Sequence, residues 1–234
     1  MSKLVINERV NIDIRPTKAE ETGTTDITLG DLHGNAIKLL YFLVRHGICD
    51  ISNEQYARLV QIYKTPQDLL TRALLDEYNT LIAGMAVINH DVLVRLIGDE
   101  LGDRGSNDYF VIKILQKLSK DKAKLEILLS NHGVEFVEAY ERFVERKNKF
   151  ETTLLDNRFH APSLQALANL VERRLIDAQE IFEFVNSSYK PSLKAISYTL
   201  DPAKPGITIF SHAGVGLTSD NLISKILSCP YFIN

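Results

Sequence analysis

Two residues with metal-binding side chains, Asp31 and His33, follow directly on an apolar run of β character at 26–29. Glycines flank the pair at positions 30 and 34, so the chain can turn sharply there. A carboxylate oxygen and a ring nitrogen at this spacing can bind one metal ion together. In open α/β sheets ligands bind in the crevice beyond the carboxyl ends of the strands, and this turn is therefore a candidate site.

Three later apolar runs of β character also end in a candidate ligand: 91–97 in Asp99, 125–129 in Asn131 and 207–210 in His212. A parallel sheet would bring all four strand ends to one edge, where the side chains converge. The set contains carboxylate, imidazole and carboxamide groups without thiolate, which favours Mn²⁺, Fe or Zn²⁺. An aspartate on a central strand can bridge two ions, and two ions roughly 3.5–4 Å apart are the usual clamp for hydrolysis of phosphate esters.

Each of these residues also has a structural interpretation. Aspartate and histidine occur in ordinary turns, but four such strand ends in one chain are poorly explained by coincidence. His160 lies in an irregular stretch and is a further candidate ligand. Glu100, beside Asp99, is expected to be a solvated loop acid.

The surrounding pattern predicts alternating strands and helices. A helical stripe over 35–46 follows the first strand, and Ser52 with Gln55 forms a capping box that begins a helical hairpin at about 50–90. Ser106 or Asn107 is expected to cap the helix after the second strand. The remaining predictions are an edge strand at 4–6, two helices over 163–185 and a short helix at 221–227.

Composition restricts the class of protein. The chain has 234 residues, 45% hydrophobic and 24% charged, which suits one globular α/β domain spanning 1–234. A net charge of −3 gives no reason to expect nucleic acid as a partner. No apolar run reaches about 18 residues and no secretory signal is recognisable, so we expect no membrane span. Cys49 and Cys229 are expected to be reduced thiols in a cytosol-like compartment.

Four ordered motifs resemble those of the phosphoprotein phosphatase branch of the calcineurin-like metallophosphoesterases. They are Gly30-Asp31-Leu32-His33-Gly34, then Gly98-Asp99 with Asp103-Arg104-Gly105, then Asn131-His132, then His212-Ala213-Gly214. The resemblance implies a β-sandwich core flanked by helices, to which the hairpin at 50–90 is an insertion. It also implies a phosphomonoesterase, most simply a protein serine/threonine phosphatase.

The resemblance also implies a role for each matching residue. Asp31, His33 and Asp99 hold a first metal ion, and Asp99 bridges to a second ion that Asn131 and His212 also bind. The two divalent ions are expected to be Mn²⁺, with Fe or Zn²⁺ as alternatives, and a hydroxide between them attacks phosphorus. Arg104, together with Asn131, binds the substrate phosphate. His132 donates a proton to the leaving alkoxide, and Asp103 orients His132.

The chain departs from the family pattern at several points. The segment 100–102 makes the second motif one residue longer, Gly133 replaces an acidic residue, and Ala213 interrupts the last motif. The family's last metal-ligating histidine would follow His212 at a distance that this chain does not reach. We therefore expect the domain to be truncated at its C-terminus.

Other functions remain open at this stage. The same motifs serve small-molecule phosphatases and dinucleoside polyphosphate hydrolases, and phosphotyrosine is a possible substrate. A non-catalytic binding module, in which the helical insertion engages a partner, belongs to a different class. The helical insertion, the absent signal sequence and the acidic charge also resemble bacterial effector phosphatases, so the protein is expected in the cytoplasm or, without a cleavable signal peptide, inside a host cell.

Overall fold

The computed structural model of the chain describes residues 9–19, 25–145, 161–200 and 206–214. In these ranges the helices are α1 (Ala36–Arg45), α2 (Asn53–Tyr63), α3 (Arg72–Gly84), α4 (Asp108–Lys120), α5 (Asn131–Glu145), α6 (Pro162–Glu172), α7 (Ala178–Phe184) and α8 (Lys190–Ser192). The strands of the same ranges are β1 (Asp26–Leu29), β2 (Cys49–Asp50), β3 (Ala86–Val87), β4 (Leu93–Leu96), β5 (Leu125–Leu128), β6 (Leu193–Lys194), β7 (Ser197–Leu200) and β8 (Ile207–Phe210).

A four-stranded sheet in the order β1-β4-β5-β6 forms the centre of the α/β fold, and its strand pairs are all parallel. Ile27 lies opposite Val94, and Leu96 lies opposite Ile127. The strands predicted from the first three motifs are therefore neighbours in the sheet. Their carboxyl ends share one edge, as expected.

The fourth predicted strand is not part of this sheet, so the expectation of one parallel sheet is wrong for β8. It pairs antiparallel with β7, with Tyr198 opposite Ile209. The reason is the short connection between β7 and β8. Consecutive strands joined by a short loop form an antiparallel pair, whereas a parallel pair needs a crossover of a dozen or more residues.

Arg95 on β4 joins the small sheet to the parallel one. Its side chain is fully buried, and its guanidinium donates to Asp26 Oδ2 at 2.6 Å on β1 and to Ser197 Oγ at 2.7 Å on β7. The contact with Asp26 keeps the arginine charge paired inside the fold, which is a condition for burying it. Strand β8 ends near the carboxyl edge of the parallel sheet, because His212, just after β8, lies 2.8 Å from the carbonyl oxygen of Ile97, just after β4.

The predicted helical hairpin is confirmed as α2 and α3. The Ser52 hydroxyl accepts from the Gln55 amide, and the Gln55 side-chain oxygen accepts from the Ser52 amide, which is the predicted capping box. The short antiparallel pair β2–β3 closes the base of the hairpin. The buried hydroxyl of Tyr78 on α3 donates to the carbonyl oxygen of Phe110 at 3.1 Å, which fixes the hairpin to α4.

The remaining elements agree with the pattern in part. Asn107 rather than Ser106 caps α4, and α6 and α7 are the two helices predicted within 163–185. Strands β6 and β7 have no counterpart among the sequence predictions. The predicted strand at 4–6, His160 and the predicted helix at 221–227 lie outside the described residues.

Among the described residues, every helix is too short or too polar to cross a bilayer.

Candidate metal and phosphate site

Side chains from four strand ends meet at the carboxyl edge of the parallel sheet. Two groups have ligand atoms within 4.8 Å of one another: Asp31 with Asp99 and His212, and His33 with Asp99 and Asp103. Asp99 belongs to both groups, as a bridging aspartate would. The partition differs from the one that the resemblance implies, since Asp31 lies with His212 and Asp103 takes a place beside His33.

His212 presents a lone pair to two oxygen atoms. Its Nδ1 lies 2.8 Å from the carbonyl oxygen of Ile97, and because a carbonyl only accepts, Nδ1 carries the proton. Its Nε2 is 3.1 Å from Asn131 Oδ1 and 3.5 Å from Asp99 Oδ1. Three potential ligand atoms thus lie together, an arrangement that suits a bound cation.

His33 is oriented by Asp103. His33 Nδ1 lies 2.5 Å from Asp103 Oδ2, so the carboxylate accepts the Nδ1 proton and Nε2 is the acceptor atom of the ring. A carboxylate behind a histidine is the usual arrangement around metal-binding imidazoles, because it fixes the tautomer and raises the basicity of the ring. Arg104 Nη2 lies 3.1 Å from His33 Nε2.

His132 occupies the first turn of α5 and makes a different contact. Its Nδ1 donates to the carbonyl oxygen of Gly102 at 2.8 Å, and its Nε2 lies 3.7 Å from Asp103 Oδ2. Asp103 is therefore hydrogen-bonded to His33 and only close to His132. The role of Asp103 in orienting His132 remains a prediction.

Asp99 provides the test of whether a metal ion fits. Its Oδ1 is buried and has no hydrogen-bond partner among the described residues, while its backbone amide donates to Ser130 Oγ at 2.9 Å. A buried carboxylate oxygen without a donor is costly unless a cation compensates it. The carboxylate, imidazole and carboxamide groups around it suit a divalent ion of the Mn²⁺, Fe or Zn²⁺ type.

The backbone is strained at three of the predicted ligands. Asp31, His33 and Asp99 have φ values of 44°, 52° and 55°, in the left-handed region that non-glycine residues seldom adopt. Such conformations cost on the order of 1–3 kcal/mol each and concentrate at functional sites. This strain is expected where the backbone is held in an unfavourable conformation so that the side chains point into a site.

The longer second motif still delivers Asp103 and Arg104 to the site. Gly102 has a φ of 69°, which only glycine adopts without strain, and its amide donates to both carboxylate oxygens of Asp108. The turn at Gly102 absorbs the additional residue. The guanidinium of Arg104 remains accessible, with 69% of its side chain exposed.

Glu100 does not lie in solvent, and that expectation is wrong. Its side chain is fully buried, and Oε1 accepts a hydrogen bond from the hydroxyl of Tyr189. Burial raises the pKa of the Glu100 carboxyl to about 7, although the hydrogen bond from Tyr189 opposes the shift. The sequence gives no local indication of this, because Tyr189 is 89 positions away.

Sequence reasoning also missed two residues beside the site, Lys38 and Tyr63. Together with Asp31, His33 and Arg104 they line a groove of about 440 Å³.

Lys38 also supports the strained turn after β1. Its ammonium donates to the carbonyl oxygens of Gly30 at 3.2 Å and Asp31 at 2.7 Å. Burial lowers the pKa of Lys38, and the Asp31 carboxylate opposes that shift. The available signal is the position of Lys38 in the first turn of α1, seven residues after Asp31.

Comparison with known proteins gives two matches. Residues 93–232 match the family described as "WipA-like, phosphatase domain". The structure is similar to the crystal structure of the phosphatase domain from the Legionella effector WipB, with a TM-score of 0.78 and 44% sequence identity over 83% of this chain and 69% of that one. Among curated protein sequences, none matches this one.

Proposed function

This chain belongs to the family of WipA-like phosphatase domains, and on that premise we propose that it is a metal-dependent phosphomonoesterase of phosphoserine and phosphothreonine in proteins. The family match makes the chain a phosphatase. The metal dependence, the dinuclear site of the calcineurin-like type and the preference for serine and threonine are the proposal.

One observation carries the metal dependence. The Asp99 carboxylate belongs to two groups of potential ligands at once, and its Oδ1 is buried without a hydrogen-bond donor among the described residues. A protein tolerates such an atom when positive charge compensates it. Two divalent ions sharing Asp99 would supply that charge.

The residues that would hold the ions are Asp31, His33, Asp99, Asn131 and His212. When bound, the ions supply positive charge that opposes the negative charge developing on the phosphoryl oxygens. Asp103 keeps the proton on His33 Nδ1, and Ile97 keeps the proton on His212 Nδ1. In each ring Nε2 is therefore the atom that would face a metal ion, and in His33 it would exchange its contact with Arg104 Nη2 for that ion.

Arg104 and His132 would act on the substrate itself. The exposed guanidinium of Arg104 can bind two phosphoryl oxygens with parallel hydrogen bonds. His132 is held through Nδ1 by the Gly102 carbonyl, so Nε2 is the atom that can deliver a proton to the leaving alkoxide. The carboxylate of Asp103 lies 3.7 Å from this Nε2 atom.

The proposal is tested on the full chain stripped with a chelator and reloaded with Mn²⁺, Fe²⁺ or Zn²⁺. Para-nitrophenyl phosphate measures general activity, and matched phosphoserine, phosphothreonine and phosphotyrosine peptides measure specificity. A symmetrical dinucleoside tetraphosphate is included as a competing substrate class. We expect activity only after reloading with metal, with the serine and threonine peptides preferred.

Asp99→Asn is expected to abolish this activity. Asp91→Asn is the matched control, because Asp91 precedes the same strand and its side chain is exposed. Activity that survives both chelation and Asp99→Asn would refute the metal mechanism. Preference for the phosphotyrosine peptide or the dinucleoside would refute the substrate assignment, and a folded chain inactive on every substrate would indicate a binding module.

We also propose that the protein acts inside a host cell. The support is its similarity to WipB, which is described as a Legionella effector. A translocation reporter fused to the full chain should enter host cells in a manner that depends on the secretion system of the bacterium. A signal that persists in a secretion-deficient strain would count against this route.

A further inference from the structure

The two segments that carry the candidate site are joined from behind by buried polar contacts. One segment is the loop after β4, which contains Asp99. The other is the first turn of α5, which contains Asn131 and His132. Ser130 Oγ accepts from the amide of Asp99 and from the amide of Gly133, both at 2.9 Å, and so links the two segments directly.

Tyr189 makes a second link at the same place. It ends a π-helical turn, Val185–Tyr189, and its ring packs edge-to-face on Phe136 of α5 with ring centres 5.5 Å apart. Its hydroxyl donates to Oε1 of Glu100, the residue directly after Asp99. Turns of π-helix within helices are frequent at functional sites, and here the turn aims a tyrosine at the loop from behind.

Gly133 is part of the same arrangement. A methyl group at this position would lie 3.1 Å from the Tyr189 hydroxyl, 3.2 Å from Ser130 Oγ and 3.6 Å from Glu100 Oε1. Three polar groups thus occupy the space that a side chain at 133 would need. The acidic residue expected after Asn131-His132 is absent from that position, and the carboxylate of Glu100 lies beside it.

We propose that Glu100 and Tyr189 are positioning residues that hold the Asp99 loop and the Asn131-His132 turn in register. The additional residue in the second motif then compensates for the glycine at 133: the loop supplies, through Glu100, a carboxylate where the helix has none. The expected effect on catalysis rests on the function proposed above, whereas the expected effect on the order of the two segments does not.

The test uses the full chain and the variant Tyr189→Phe, which removes one hydroxyl and preserves the packing of the ring. Tyr78→Phe is the matched control: Tyr78 is also fully buried, and its hydroxyl likewise donates to one acceptor, the Phe110 carbonyl, away from the site. Hydrogen exchange is measured over 98–104 and 129–136 in the metal-free protein. Steady-state kinetics and Mn²⁺ affinity are measured in parallel.

We expect Tyr189→Phe to accelerate exchange in both segments and to lower kcat roughly 10-fold with little change in KM, as for other groups behind metal ligands. Tyr78→Phe should leave both segments and kcat unchanged. Glu100→Gln, which keeps an acceptor for the tyrosine hydroxyl, should retain most activity, whereas Glu100→Leu should behave like Tyr189→Phe. If Tyr189→Phe fails to fold, the comparison of Glu100→Gln with Glu100→Leu tests the positioning role instead.

Unchanged exchange and unchanged kcat in folded Tyr189→Phe and Glu100→Leu would overturn the proposal. If the wild-type protein hydrolyses none of the substrates and Tyr189→Phe still exchanges faster than the wild type in both segments, the positioning role is supported and the proposed function is refuted. The two failures are therefore distinguishable.

Discussion

The guanidinium of Arg95 lies 4.0 Å from the centre of the Phe210 ring. Arg95 belongs to β4 and Phe210 ends β8, so this cation–π contact joins the parallel sheet to the small antiparallel one. Asp99 follows on the chain from Arg95, and His212 follows from Phe210. The contact between the sheets therefore governs the separation of two candidate ligands.

Arg95→Met is expected to lower the free energy of unfolding by about 3 kcal/mol, since it leaves the carboxylates of Asp26 and Glu126 without their buried partner. It should also weaken Mn²⁺ binding, because β8 loses its attachment. Urea denaturation and calorimetric titration measure the two effects. Arg58→Met is the control: Arg58 pairs with Glu77 at the surface, where water screens ion pairs and they add little to stability. Equal losses in both variants would contradict the role of Arg95.

Asp103→Asn is expected to weaken Mn²⁺ binding by roughly 10- to 100-fold, the usual effect of removing a carboxylate behind a metal-binding histidine. The asparagine can still accept from His33 Nδ1, but it removes the negative charge that lies behind the ring. Calorimetric titration of the chelator-stripped protein gives the affinity. Asp121→Asn, which removes a surface partner of Lys117, should bind as the wild type does. An unaltered affinity in Asp103→Asn would mean that His33 is not a ligand.

The parts of this site that the sequence predicts are those with a local signal. Asp31, Asp99 and Asn131 are recognisable because each follows an apolar run directly, and parallel pairing of those runs brings their ends together. Ser52 is recognisable as a cap because its partner is three residues away. Such features need only the order of residues along one element.

The parts that the sequence does not predict depend on partners far apart in the chain. Arg95 interrupts an otherwise apolar strand, and the sequence pattern would place it in solvent. It is buried because β7 covers it, where Ser197, 102 positions away, accepts its hydrogen bond. Glu100 has the type and context of a loop acid, and Tyr189 removes it from solvent. The pairing of β8 with β7 is not predictable in the same way, because β7 lacks a strong alternation of apolar and polar residues. Without a predicted β7, the parallel sheet is the only partner that the pattern offers to β8.

Arg104→Ala is expected to lower kcat/KM for a phosphopeptide by about 100-fold, the loss typical when one donor to a developing oxyanion is removed. Arg104→Lys should recover only part of this, because an ammonium group cannot form the paired hydrogen bonds of a guanidinium. Arg142→Ala, on the exposed side of α5, is the control. A full recovery by lysine would show that charge alone matters at this position.

Asp108 links protein stability to pH. It is fully buried, and burial raises its pKa from 3.8 to about 7, against hydrogen bonds from Ser163 and Gly102 that act in the opposite direction. Between about pH 4 and pH 7 the folded protein therefore holds a proton that the unfolded chain has released. Because the folded state binds more protons, the free energy of unfolding falls as pH rises through this window.

Asp108→Asn is expected to remove the share of Asp108 from that dependence and to leave the share of Glu100, whose pKa burial also raises to about 7. The amide does not titrate and still accepts from the Gly102 amide through one oxygen. The wild type should lose up to about 1.4 kcal/mol per pH unit from this group between pH 5 and pH 7. Urea denaturation of the metal-free protein at pH 5, 6, 7 and 8 measures the slope. Asp91→Asn, at an exposed position, should keep the wild-type slope. If Asp108→Asn keeps it as well, the Asp108 carboxyl is ionised in the folded protein across the whole range, and the polar contacts of Gly102 and Ser163 outweigh its burial.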